Sequence, residues 1–98
     1  MQQYMAEITL PTHATPDYLA LIPMQRNFVE GMFKRGLITS YALAFNRTKI
    51  WATFATPTIE EAEEIIRRFP LTEYISYTIQ ELAFRNSVST VMPAVSLN

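Results

Sequence analysis

Ninety-eight residues make one domain: 49% are hydrophobic and 17% charged, enough apolar surface for a core and too little charge for disorder by composition. Eight Lys and Arg against nine Asp and Glu give a net charge of −1, and the cations are spread along the chain, which is not the footprint of a nucleic-acid backbone binder. Without cysteine there is no disulfide scaffold, thiolate nucleophile or cysteine-held zinc, and a single histidine, His13, gives no basis for a metal site. Gly31 and Gly36 are the only glycines, so Gly-rich phosphate loops and the Gly-x-Ser-x-Gly nucleophile elbow are excluded. No apolar run approaches the ~20 residues that span a bilayer, no basic, apolar leader opens the chain, and a cytoplasmic protein is expected.

Gln3 to Leu10 alternates as a strand should, with Tyr4, Ala6, Ile8 and Leu10 on one face and Met5, Glu7 and Thr9 on the other. Pro11 stops it. Thr15-Pro16-Asp17 is a helix start, a hydroxyl cap before proline at the first helical position. Pro23 lacks an amide donor and disfavours helical geometry at Ile22, which predicts a short turn over 16–21 and a main helix from Pro23 to Arg35. Leu21, Ile22, Phe28, Val29, Met32 and Phe33 form its apolar stripe, and Gly36 closes it. Gly31 weakens the helix, and close contact with a strand beneath would be a reason for it.

Leu37 to Phe45 and Lys49 to Ala55 are the next strands, joined by the short turn Asn46-Arg47-Thr48. Thr58-Ile-Glu-Glu61 is a capping box, opening a helix whose buried stripe is Ile59, Ala62, Ile66 and Phe69 and which Pro70 ends. Glu73 to Leu82 is a fourth strand, and the tail beyond Phe84 has no clear period. The order β-α-β-β-α-β predicts an α+β, ferredoxin-like fold: an antiparallel four-stranded sheet with two helices on one face. The other sheet face, bearing Trp51, is left bare and calls for a partner or a ligand.

Three stretches, Met5-Ala-Glu-Ile-Thr-Leu-Pro11, Thr53-Phe-Ala-Thr-Pro-Thr-Ile-Glu60 and Phe69-Pro-Leu-Thr-Glu-Tyr-Ile-Ser-Tyr-Thr-Ile79, resemble the muconolactone isomerase family. The resemblance runs over residues 3–85, and Pro70-Leu71 followed by Tyr74 and a strand is its most specific piece. It implies a dimeric α/β barrel domain over 1–85, with a tail over 86–98 reaching a neighbouring subunit in a homodimer or higher homo-oligomer. It also implies cofactor-free proton transfer on a small unsaturated or lactone-type molecule, in a pocket beside the sheet with a first-strand ionisable residue, here Glu7. The family's second strand carries Trp-Arg-His-Leu-Trp-Arg where this chain has Ile38-Thr-Ser-Tyr-Ala-Leu43, so muconolactone itself is not the expected substrate.

Glu7, a mid-strand carboxylate among apolar neighbours, is the candidate proton shuttle. His13, Ser40, Tyr41, Trp51 and Ser76 are candidate ligand contacts. Each also has a plainer role: a turn hydrogen bond for His13, packing for the hydroxyl groups, and a subunit contact for Trp51. A non-enzymatic small-molecule-binding or assembly module, and a cofactor-free monooxygenase of the same barrel group, are the alternatives.

Overall fold

The computed structural model describes residues 2–84. Its elements follow the predicted order: β1 (Gln2–Thr9), α1 (Pro16–Lys34), β2 (Ile38–Leu43), β3 (Lys49–Thr56), α2 (Ile59–Arg67) and β4 (Ser76–Leu82). The strands form one antiparallel sheet in the order β2-β3-β1-β4. The alternation of β1 decides what lies on each side. Tyr4, Ala6, Ile8 and Leu10 are buried, while Met5, Glu7 and Thr9 are exposed. Ile50, Ala52 and Phe54 of β3 join the buried side, and Val29 and Met32 of α1 with Ala62, Ile65 and Ile66 of α2 complete the core. Met5, Glu7, Thr9 and Trp51 on the opposite face are exposed, and no helix among the described residues covers that face.

The helix starts follow from their caps. Thr15 Oγ1 accepts from the Tyr18 amide at 3.3 Å, and Thr58 Oγ1 accepts from the Glu61 amide at 3.2 Å. Contrary to the predicted break, α1 runs unbroken through Pro23. Pro23 is exposed, the capped first turn precedes it, and the buried Tyr18, Gln25, Val29 and Met32 hold the helix to the sheet on both sides of it. One lost backbone hydrogen bond does not outweigh that anchoring. Two strand ends also differ. A 3-10 turn over Thr72–Tyr74, closed by Tyr74 N–H to Leu71 C=O at 2.9 Å, delays β4 to Ser76. Beyond Leu43, Ala44 turns into the hairpin, its amide donating to the Lys49 carbonyl at 2.9 Å. The tail over 86–98, expected to reach a neighbour, lies outside the described residues.

A Cβ added at Gly31 would meet nothing within 4 Å, so the expected strand contact is not its reason. Gly31→Ala is therefore expected to stabilise the fold by roughly 0.5–1 kcal/mol, because alanine restricts the unfolded chain and favours helix. A urea midpoint that stays put or falls would contradict this.

Candidate functional site

Of the six site residues expected from the sequence, four lie on the open face of the sheet, Tyr41 lies on the helix side, and His13 lies off the sheet. On the open face Glu7 stands between Trp51 of β3 and Thr78 of β4, its partners in the two ladders. These residues line a recess of about 370 Å³ with Met5, Gln80 and Leu82. Glu7 Oε2 lies 3.0 Å from Lys49 Nζ, which also donates to Thr9 Oγ1 at 3.0 Å. With about half of its side chain exposed, Glu7 is a solvated, ion-paired carboxylate in the single chain. Ser40 and Ser76 lie on this face too, outside the recess: Ser40 Oγ donates to Thr53 Oγ1 at 2.7 Å, and Ser76 is the ladder partner of Thr9. His13 is exposed in the β1–α1 connection, 3.3 Å from Thr12 Oγ1 through Nδ1.

Tyr41 is on the helix side. A bulge between Ile38 and Ser40 shifts the β2 register, so Ile38 and Tyr41, three residues apart, both align with core positions of β3, Phe54 and Ala52. Tyr41 faces a second cavity of about 370 Å³, between α1, β2, the β2–β3 turn and the segment after α2, and more enclosed than the open-face recess. Its buried lining residues, Leu10, Tyr18, Gln25, Ile50 and Leu71, form the inner end; the exposed Arg26 and Arg47 stand at the mouth.

Gln25 is the residue the sequence reading missed. It is 4% exposed on the buried stripe of α1, and it bonds two distant segments: its Oε1 accepts from the Leu71 amide at 3.3 Å and its Nε2 donates to the Tyr41 hydroxyl oxygen at 3.2 Å. A polar residue spaced seven after Tyr18 and four before Val29, on an otherwise apolar stripe, was the available signal. Burial pushes the Tyr41 phenol above its ordinary pKa, with the Gln25 hydrogen bond opposing and Tyr18 adding to the rise, so Tyr41 is a protonated donor at neutral pH.

Among the described residues, Arg26 and Arg47 take part in no ion pair, and no Asp, Glu or His lines this cavity. Arg47 holds φ at 65°, a left-handed conformation in which a side chain is unfavourable. Its guanidinium donates to the Phe45 carbonyl at 3.1 Å, across its own turn. Among the described residues no three acidic or imidazole side chains converge as a metal site would need, and no helix is long and apolar enough to cross a membrane.

A solved structure of muconolactone isomerase matches over 88% of this chain and 93% of its own, with a TM-score of 0.72 and 16% identity. The chain has the muconolactone isomerase fold. At that identity the likeness fixes the architecture and leaves the chemistry to the side chains. A structural-genomics protein from Agrobacterium tumefaciens matches over 85% of this chain and 94% of its own, at 15% identity and a TM-score of 0.46. No protein-family model and no curated protein sequence matches the chain.

Proposed function

We propose that the protein binds a small unsaturated or lactone-type carboxylic acid in the cavity between α1 and β2. What supports this reading is the lining: apolar walls, hydrogen-bond donors among the buried residues, two exposed arginines and no carboxylate among the described lining residues. Such a site is short of one negative charge and one acceptor oxygen, which a small organic acid supplies. The arginines missing from β2, relative to the family pattern, are in this reading replaced from α1 and from the β2–β3 turn. A volume near 370 Å³ lies within the range of small-molecule pockets. The test is calorimetric titration with coumalate, sorbate and cinnamate, each beside its primary amide. The acids are expected to bind about tenfold tighter, worth ~1.4 kcal/mol of charge recognition at an exposed mouth. Equal affinities would refute the carboxylate, and no binding by any of the six would refute the cavity.

Binding, rather than catalysis, is the reading the geometry favours. Proton transfer needs a base within hydrogen-bond reach of the ligand, and among the described residues no carboxylate or imidazole lines the cavity. One observation favours a second reading, isomerase chemistry by Glu7: it shares a recess with Trp51 that a partner's sheet would close, desolvating the carboxylate. Loss of turnover in Glu7→Gln, on any acid that wild type isomerises, would support it; retained turnover would exclude it.

The open face itself is read as the contact between two copies in a homodimer or larger assembly. Met5 at 37% and Trp51 at 39% exposure are apolar groups whose burial would favour association. Light scattering at micromolar concentration is expected to give at least a dimer mass, reduced to monomer by Trp51→Lys. A monomeric wild type would contradict it.

A further inference from the structure

The direction of the hydrogen bonds around Gln25 carries a statement about the ligand. The Leu71 backbone amide can only donate, so the Gln25 atom beside it is the carbonyl oxygen. The remaining atom is then the amide nitrogen, which can only donate, and the Tyr41 oxygen must accept from it. With that oxygen occupied as an acceptor, the phenolic hydrogen is aimed elsewhere. Among the described residues it has no acceptor, and Tyr41 lines the cavity.

We propose that Tyr41 is an oriented hydrogen-bond donor to a carbonyl oxygen of the bound molecule, and that Gln25 is the positioning residue that sets its direction. The inference rests on the reading of the cavity as a small-acid site and deepens it: the ligand is an acid that also carries a ketone, lactone or comparable carbonyl group. Its carboxylate meets Arg26 and Arg47 at the mouth, and its carbonyl meets Tyr41 further in. The device is chain-wide in origin, since Gln25 and Tyr41 are 16 residues apart and Gln25 and Leu71 are 46 apart. Burial of Gln25 holds it in place, because swinging its amide out of register would leave the Leu71 amide unpaired inside the protein.

The experiment compares 4-oxocyclohexanecarboxylate with 4-methylidenecyclohexanecarboxylate, the same ring and acid with a carbonyl replaced by a non-accepting isostere. Wild type is expected to prefer the ketone about tenfold, the worth of one directed hydrogen bond in a desolvated site. The infrared carbonyl stretch of the bound ketone should lie lower in wild type than in Tyr41→Phe, and Tyr41→Phe should bind the two acids about equally. Gln25→Glu keeps an acceptor for the Leu71 amide but offers Tyr41 an acceptor as well, so the hydroxyl turns away from the ligand and the ketone preference falls to that of Tyr41→Phe. A merely structural Gln25 would leave that preference intact in the folded variant. If Gln25→Glu does not fold, the wild-type preference and the infrared comparison with Tyr41→Phe decide alone. Equal binding of both acids by wild type, or an unshifted carbonyl stretch, overturns the inference and leaves the small-acid site standing. Binding of neither acid overturns both.

Discussion

Phe54→Ala is expected to destabilise the protein by about 3–5 kcal/mol, enough to consume much of the ~5–15 kcal/mol that a domain of this size has. Phe54 has no exposed surface and lies at the centre of the sheet, with Tyr4 beside it in β1 and Ile38 beside it in β2. Both helices cover that face, so the cavity left behind would have strands on one side and helices on the other, with little freedom to collapse. At ~4 °C or more per kcal/mol in a small domain, the melting temperature should fall by at least about 12 °C. The control is Phe45→Ala, where 96% exposure limits the loss to under about 1 kcal/mol. A Phe54→Ala loss no larger than that of Phe45→Ala would show that the core is not where the burial pattern puts it.

Arg47→Gly is expected to move stability and binding in opposite directions. The left-handed backbone at Arg47 costs ~1–2 kcal/mol for a residue with a Cβ, and glycine removes that cost. Glycine also loosens the unfolded chain, which takes back about 0.4–1 kcal/mol. The Arg47 to Phe45 hydrogen bond is exposed and weighs little against either term. Strain relief wins by roughly 0.5–1 kcal/mol, so the variant should be slightly more stable. It should nonetheless lose about threefold in affinity for coumalate, half of the ~1.4 kcal/mol of charge recognition, since one of the two guanidinium groups is gone. Denaturant melts and a titration of the same preparation give both readings. A variant that is more stable and binds unchanged would make Arg47 an ordinary surface residue in a tolerated turn.

What was legible in the sequence was whatever depends on neighbours along the chain. The alternation of β1 told apart the two faces of Tyr4 and Glu7, and the threonine caps marked both helix starts. The resemblance carried in three short stretches led to the same fold as the structural match. Misreadings came where long-range packing overrode a local rule. Pro23 is a helix breaker on its own, yet Tyr18 and Gln25 anchor the helix on both sides of it. The β2 bulge is invisible as a pattern, although it decides that Ile38 and Tyr41 share a side.

The candidate site was legible only in part. Tyr41 was singled out as a candidate ligand contact. Its partner Gln25 was read as part of an ordinary helix, and Arg47 as part of an unremarked turn. Each belongs to the cavity because segments far apart in sequence converge there, which no spacing within one element encodes. Glu7 was chosen for its chemistry, and the fold puts it on the other side of the sheet from the cavity.

The most direct measurement is a two-dimensional amide and side-chain NMR titration of the whole chain with coumalate. Occupation of the α1–β2 cavity predicts shifts at Tyr18, Gln25, Arg26, Tyr41 and Arg47, with the Gln25 side-chain amide among the largest. Shifts confined to Met5, Glu7, Trp51 and Thr78 would place the ligand on the open sheet face and contradict the account.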